Sequence, residues 1–387
     1  MNLSKQTILP GQTIGIIGGG QLGRMMAIAA KTMGYSIAVL DPEPDSPCGQ
    51  VSDKKVIGAY DDLDAIKRLA ELSDVITYEF ENIDADALEW LCENAWVPQG
   101  TQLLDISQDR IKEKNAIQSA GVQVAPFAVI NSLTDIYNHI ETLDYPAVLK
   151  TSRGGYDGKG QLIIKEKQDI EEAQALLAHG PCVLEKWVPF KKEISVILTG
   201  SVSGEISVFP VAENIHINNI LHQTIAPARI SEKAKEKAIR YAKKLAQHFQ
   251  LVGTLSVEMF LTDEDEIYIN ELAPRPHNSG HYTIEACETS QFEQHIRAVC
   301  NLPLANTQLL KPALMINILG EHQANVLEKM PETKDWKVHF YGKRDPKKKR
   351  KMGHVTILRD SVETAIEEAK QSRIWEANKE KSLEAKL

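Results

Sequence analysis

Cysteine is scarce and unpatterned: the 387 residues contain five, Cys48, Cys92, Cys182, Cys287 and Cys300, with no C-x-x-C spacing. An odd set without a framework excludes a disulfide scaffold and fits reduced thiols in a reducing compartment. Long apolar runs are missing as well. No stretch reaches the roughly 18 residues that span a bilayer, and Met1–Gln12 lacks the charged-then-apolar pattern of a secretion signal. Positive charge is in deficit, with 44 Lys and Arg against 53 Asp and Glu and a formal net charge of −9. That balance argues against a general nucleic-acid binder but permits a local basic pocket for phosphate. There is no internal repeat at periods of roughly 20–50 residues and no long low-complexity tract. The expectation is a cytoplasmic protein with neither membrane nor nucleic acid as partner.

What is present is an ordinary globular composition, 43% apolar and 25% charged, in a chain long enough for two or three domains. Through residue 108, apolar runs (Thr13–Ile17, Ser36–Leu40, Lys55–Ala59, Asp74–Tyr78) alternate with helical stretches (Leu22–Met33, Leu63–Leu72, Ala85–Asn94). Such alternation predicts an α/β domain with a parallel sheet. From Asp109 the pattern changes to adjacent strand runs, which predicts an α+β body over 109–302. A small α+β segment with a lysine-rich loop at Gly342–Lys351 completes the chain over 303–387.

Two glycine loops invite chemistry. Gly18-Gly19-Gly20-Gln21-Leu22-Gly23 fits G-x-G-x-x-G between a strand and a helix, and Asp41 closes the next strand where a dinucleotide fold keeps its ribose acid. Three readings stay open: a nicotinamide or flavin site, a tight strand-to-helix turn, or a cradle for another phosphate or substrate. The second loop follows Lys150 at the end of the strand Ala147–Lys150 and contains Gly154, Gly155, Gly158 and Gly160. It lacks the Walker A spacing, yet its amides could fold over a polyphosphate, with Lys150, Lys159 and Arg110 neutralising charge.

Further on, Glu258 and Glu271 flank the acidic tract Asp263–Glu266. If Glu264-Asp265 forms a two-residue hairpin loop, the two glutamates fall directly opposite, with Cβ atoms roughly 4.5–5.5 Å apart. Opposed carboxylates repel unless a cation lies between them, and Mg²⁺ bound to a nucleotide needs one or two such ligands; Mn²⁺ would also serve, a solvated charged hairpin face is the alternative, and another turn length would shift the register. Glu185-Lys186-Trp187-Val188, with Glu193 beyond, reads either as a plain strand end or as an edge offering backbone groups to adenine and a carboxylate to ribose.

The order of these pieces resembles the ATP-grasp superfamily. Five stretches narrow it: Gly18–Arg24, Thr77–Asn82, Gly154–Gln161, Asn270–His281, and Gly342-Lys343 with Arg350–His354. Together they resemble the 5-(carboxyamino)imidazole ribonucleotide synthase family, over nearly the whole chain. The resemblance implies an ATP-grasp fold with an N-terminal Rossmann-like (biotin-carboxylase-like) domain and a small C-terminal domain. It implies ATP-dependent carboxylation of 5-aminoimidazole ribonucleotide by bicarbonate through carboxyphosphate, in purine biosynthesis. A homodimer, with product passed to a separate mutase, is expected. Other ATP-grasp ligases or formyltransferases, and an NAD-dependent oxidoreductase, are the alternatives. By the same resemblance ATP would be held by Arg110, Lys150, the loop Gly155, Tyr156, Asp157, Gly158, Lys159, Gly160 and Gln161, the hinge Glu185, Lys186, Trp187 and Val188, and Glu193, His216, Asn270 and Glu271. Mg²⁺ would fall to Glu258 and Glu271. Tyr156, Asp157, Arg275 and His277 would carry the chemistry where bicarbonate and amine meet. Gln21, Glu79, His277, Lys343 and Arg350 would hold the ribonucleotide. The lysine run at 347–349 departs from the shorter loop of related sequences, so the division of labour among its members stays open.

Overall fold

The computed structural model describes residues 6–155 and 159–375. The first hundred residues form a four-stranded parallel sheet, order β3-β2-β1-β4, from β1 (Thr13–Ile17), β2 (Ser36–Asp41), β3 (Lys54–Ile57) and β4 (Val75–Tyr78). Its inner strands are apolar on both faces because helices cover both sides: Ile14, Ile16, Ile37 and Val39 pack under the helix Gln21–Thr32, and Ile17, Leu40 and Ile76 against the other.

The next segment splits into two sheets. The smaller, order β5-β8-β6-β7, contains β5 (Phe127–Ile130), β6 (Ala147–Thr151), β7 (Gln161–Ile164) and β8 (Cys182–Lys186), all paired antiparallel. The larger contains β9 (Phe190–Gly200), β10 (Ile206–Val208), β11 (Ala212–Ile217), β12 (Ile220–Ala226), β13 (Gly253–Thr262) and β14 (Ile267–Ala273). Against its back lies the helix Glu232–His248. Ala234, Ala238 and Ala242 recur every four residues on the buried side, and their small side chains let the helix approach the strands closely.

The last segment does not make a sheet of its own. Its strands β15 (Ala313–Leu319), β16 (Lys337–Phe340) and β17 (Lys351–Leu358) continue the large sheet through the pair β12–β15, giving nine strands in all. The lysine-rich loop between β16 and β17 is thereby carried back toward the first domain, where Gln50 Nε2 donates to the Gly342 carbonyl at 2.9 Å.

The hairpin β13–β14 departs from the expected turn. The loop has three residues, Asp263–Asp265, with Asp265 at φ +60° and Thr262 N donating to the Glu266 carbonyl at 2.9 Å. This leaves the strands one residue out of the expected register, with Leu261 opposite Ile267. A bulge at Asn270 restores it, and Glu258 does stand opposite Glu271. The burial pattern shows the same shift: Ile267 and Ile269 face the core, then Leu272, so the parity flips between them.

Candidate functional site

The two lobes of the second segment enclose a cleft of about 560 Å³. Strand alternation explains what faces it. On β13, Val257, Met259 and Leu261 turn to the core while Glu258 and Phe260 turn to the cleft. On β6, Val148 and Lys150 line it and Leu149 is buried behind. From β8, the chain Glu185 to Val188 forms one wall, and Gly155, Lys159, Gly160 and Gln161 reach in from the second glycine loop. Tyr156, Asp157 and Gly158 lie outside the described residues.

Several charges in this cleft are paired. Arg110 Nη1 lies 3.4 Å from Glu271 Oε2, and its Nη2 donates to the Gly155 carbonyl at 3.3 Å, so one guanidinium ties the acid hairpin to the glycine loop. Lys150 Nζ donates to Glu185 Oε2 at 3.2 Å. Burial pushes the Lys150 ammonium down, only partly offset by Glu185. Burial works against ionised Glu185 too, but Lys150 and Lys114 outweigh it and hold the carboxyl below its usual range. Glu193 Oε2 stands 3.1 Å from His216 Nδ1. Burial opposes a charged His216, and the adjacent Glu193 carboxylate more than compensates, raising its pKa.

At the far end, His277 Nε2 lies 2.9 Å from Glu258 Oε1. Glu258 is buried, which alone would raise its pKa, yet His277 beside it holds the carboxyl well below its usual range. Arg275 Nη2 holds Glu81 Oε1 at 2.7 Å, linking the cleft to the end of β4. Among the described residues no group of three or more His, Cys, Asp or Glu could hold a metal by itself. The opposed pair Glu258 and Glu271 nevertheless suits a nucleotide-bound Mg²⁺, which takes one or two carboxylates and completes its shell with phosphate and water. The buried Asn270 Oδ1, carried into the cleft wall by the bulge, has no hydrogen-bond partner and fits the same role.

The first glycine loop is occupied from within. Gly20 N and Gly23 N donate to the two carboxylate oxygens of Glu79, the latter at 2.6 Å, and Gly19 N donates to Asp41 Oδ2 at 2.6 Å. Asp41 Oδ2 also accepts from Tyr60 Oη at 2.6 Å. The helix N-terminus that would bind a pyrophosphate is thus satisfied by protein carboxylates. A Cβ on Gly20 would overlap Glu79 Oε1 and one on Gly18 would overlap Glu79 Cγ, so these two glycines permit the close approach of Glu79. That removes the basis for a dinucleotide site, and Asp41, the expected ribose acid, is folded onto the loop instead.

Beside this loop the first and last segments meet. Lys343 Nζ donates to Gln21 Oε1 and to the Lys351 carbonyl, the latter at 2.8 Å, and lies 5.6 Å from the Tyr341 ring centroid. Burial, with Arg350 nearby, lowers the Lys343 ammonium to about 8. Gln21, Glu79, Lys343 and Arg350 therefore gather apart from the cleft, whereas His277 lies on the cleft wall. Of the lysine run, Lys347, Lys348 and Lys349 are exposed, and Lys351 alone lines the cleft.

Sequence reasoning missed Glu81, Glu113, Lys114 and Lys351. Helical spacing could have revealed two: Arg110, Glu113 and Lys114 stand at i, i+3 and i+4, one face of a helix. The hinge also differs in detail, since the N–H groups of Lys186 and Trp187 donate to the carbonyls of Pro126 and Pro146 at 2.9 and 3.2 Å. Those two amides are spent within the fold rather than offered to a base.

A cleft between two α+β lobes, floored by opposed acids and walled by a lysine-bearing strand with its glycine loop, defines an ATP-grasp ligase. Comparison with known families agrees. Residues 11–108 match the ribonucleotide synthetase preATP-grasp domain, 115–292 the ATP-grasp domain, and 313–368 the phosphoribosylaminoimidazole carboxylase C-terminal domain. The N5-carboxyaminoimidazole ribonucleotide synthase of Bacillus subtilis (strain 168) is 58% identical over 367 residues, 95% of this chain and 96% of that protein. A solved N5-carboxyaminoimidazole ribonucleotide synthetase in complex with ADP superposes with a TM-score of 0.94 at 60% identity, covering 96% of this chain and 99% of that one. The enzyme of Aspergillus clavatus, solved with ADP and 5-aminoimidazole ribonucleotide, gives a TM-score of 0.86 at 32% identity, covering 92% and 95%. The chain belongs to the N5-carboxyaminoimidazole ribonucleotide synthase family.

Proposed function

We propose that the chain joins bicarbonate to the amine of 5-aminoimidazole ribonucleotide at the expense of ATP, yielding the N5-carboxylated ribonucleotide, ADP and phosphate. The observation that carries this is the adjacency of two unlike sites. The triphosphate-sized cleft carries Arg110, Lys150 and Lys159 for phosphate and Glu258 with Glu271 for metal. The second site, where Gln21 meets Lys343, has a basic side chain for a 5′-phosphate. His277, Arg275 and Lys351 stand on the cleft wall, and the Lys351 carbonyl accepts from Lys343.

ATP lies with its base against the hinge through Val188 and its ribose toward Glu193, while Lys150 and the glycine loop take the phosphates. Mg²⁺, held by Glu258 and Glu271 with Asn270 beside them, would neutralise phosphate charge and keep the γ-phosphate in line. Bicarbonate oxygen attacks the γ-phosphorus, the bond to the β-phosphate oxygen breaks, and ADP leaves. Arg275 orients the resulting carboxyphosphate. Closure of the cleft protects that short-lived acyl phosphate from water. The ribonucleotide amine then takes the carboxyl group, phosphate departs, and the amine's surplus proton passes to a neighbouring base. Tyr156 and Asp157 belong to this step by family resemblance, and Glu79, against the first glycine loop in the second site, holds the ribonucleotide.

The domains run 1–108, 109–302 and 303–387, with the third anchored to the second by a shared sheet. In the cell we place the chain in the cytoplasm as a homodimer whose product goes to a separate mutase; light scattering tests the assembly. No helix among the described residues is long and apolar enough to cross a membrane. The deciding experiment measures phosphate release in bicarbonate buffer with and without 5-aminoimidazole ribonucleotide. Release that the ribonucleotide does not stimulate overturns the substrate assignment.

A further inference from the structure

The helix Arg110–Ser119 begins with a buried charged face. Asp109 caps it, accepting from Ile111 N at 2.9 Å and Lys112 N at 3.3 Å, and Ser152 Oγ binds the same carboxylate at 2.6 Å. Arg110 N donates to the Ser152 carbonyl at 2.9 Å. The first turn is thus clamped to the chain entering the second glycine loop. From that turn Glu113 Oε1 accepts from Leu272 N at 2.7 Å, next to Glu271, and Lys114 Nζ lies 3.1 Å from Glu185 Oε2.

Lys114 and Lys150 therefore share one carboxylate oxygen. They are not equivalent. Lys150 lines the cleft and its side chain is 14% exposed, whereas that of Lys114 is 1% exposed and lies behind the cleft wall. The Lys114 ammonium is at ion-pair distance but off the hydrogen-bonding direction, with the Phe127 ring 5.8 Å away. One cation suffices to compensate a carboxylate, so the second needs a reason. A buried carboxylate stripped of its only cation is costly, and breaking such a pair from one side is strongly destabilising. If Lys150 were the sole partner of Glu185, moving its ammonium to a phosphate would incur that cost at every binding event.

We infer that Lys114 is a positioning residue, the resident counter-ion of Glu185 that leaves Lys150 free to transfer to the phosphates of ATP. This rests on the reading that Lys150 contacts ATP phosphate. Lys114 itself touches no substrate. It sets how tightly Glu185 holds Lys150, and with that the affinity for ATP more than the rate of chemistry. No proton or bond is exchanged: one ammonium changes partner and the other stays.

The test measures Mg·ATP affinity by calorimetry and KM and kcat by phosphate release for Lys114→Met, Glu185→Gln, the double variant, and Lys150→Met. Lys114→Met is expected to raise the Kd and KM for ATP by about tenfold or more, the scale of one charge-assisted bond. The decrease in kcat should be much smaller, and the ribonucleotide KM should stay within about twofold. With Glu185 neutral, Lys114 has no charge to hold, so the double variant should bind ATP no worse than Glu185→Gln. Equal losses in the two backgrounds would mean a merely structural lysine and overturn the inference. So would a Lys114→Met protein that binds ATP normally while Lys150→Met does not. Normal ATP affinity in Lys150→Met would instead remove the underlying reading and the inference with it. If Lys114→Met does not fold, the double variant, which removes both members of the buried pair, still decides against Glu185→Gln.

Discussion

Lys343 offers a test by pH alone. Its ammonium is half-buried where the first and last segments meet, donates to Gln21 and to the Lys351 carbonyl, and has Arg350 close by. Burial first, and Arg350 second, bring its pKa from 10.5 to about 8. A lysine gives up its charge above its pKa, so at pH 7 roughly nine in ten free sites are charged and at pH 9 roughly one in ten. If the ammonium binds the ribonucleotide 5′-phosphate, discharging it forfeits a charge-assisted bond of about 1.5–3 kcal/mol, roughly ten- to a hundredfold in affinity. The KM for the ribonucleotide should be level below about pH 8, then climb about tenfold per unit until that loss is complete. The KM for ATP should show no break that Lys343→Met removes, since any rise there reports on Lys150, itself lowered by burial. Arg350→Ala should raise the ribonucleotide KM about tenfold or more at every pH and, with a repelling charge removed, move the break upward. Steady-state phosphate release at saturating ATP and bicarbonate, from pH 6.5 to 9.5, measures both. A ribonucleotide KM that is flat across the range, or a break that persists in Lys343→Met, would refute the placement.

Three further outcomes are expected. Glu271→Gln should abolish most ATP turnover while thermal unfolding stays near that of the wild type, and Glu258→Gln should do the same less completely; normal turnover at ordinary Mg²⁺ in either would dismiss them as ligands. Gly20→Ala forces a Cβ into Glu79, which should cost about 1–3 kcal/mol by overpacking and raise the ribonucleotide KM with little change for ATP; unaltered urea unfolding and kinetics would contradict the tight packing. Deleting Asn270 removes the bulge residue and should let β13 and β14 pair regularly with Glu258 still opposite Glu271, so the protein should fold but lose ATP affinity several-fold; loss of the folded state would show that the bulge is needed elsewhere.

The parallel sheet of the first domain was legible because its inner strands are apolar on both faces and its helices keep a separate period. The use of its glycine loop was not. G-x-G-x-x-G records only that backbone must come close to something at a helix N-terminus. Whether that something is a ligand's phosphate or the protein's own Glu79 depends on a residue 59 positions further along the chain. Likewise Lys351 is one basic residue in a run of similar ones. It is set apart from Lys347, Lys348 and Lys349 by being the first residue of β17, a boundary that the run conceals.

The acid hairpin shows how a strand pairing can be expected correctly through an incorrect path. A two-residue loop and a regular ladder put Glu258 opposite Glu271; the actual three-residue loop and the bulge at Asn270 shift the register once each, in opposite senses, and arrive at the same pair. Either shift alone would have moved the partner of Glu258 by one residue and turned it to the other face. The two irregularities therefore act together, and the bulge does something a regular ladder could not. It adds Asn270, whose buried Oδ1 has no partner in the fold, beside two carboxylates already facing one cleft. The glutamates follow from alternation, which sequence displays. Asn270 enters the cleft wall through a break in alternation, which leaves its trace only in the spacing of Ile269 and Leu272, both in the core although an odd number of residues apart.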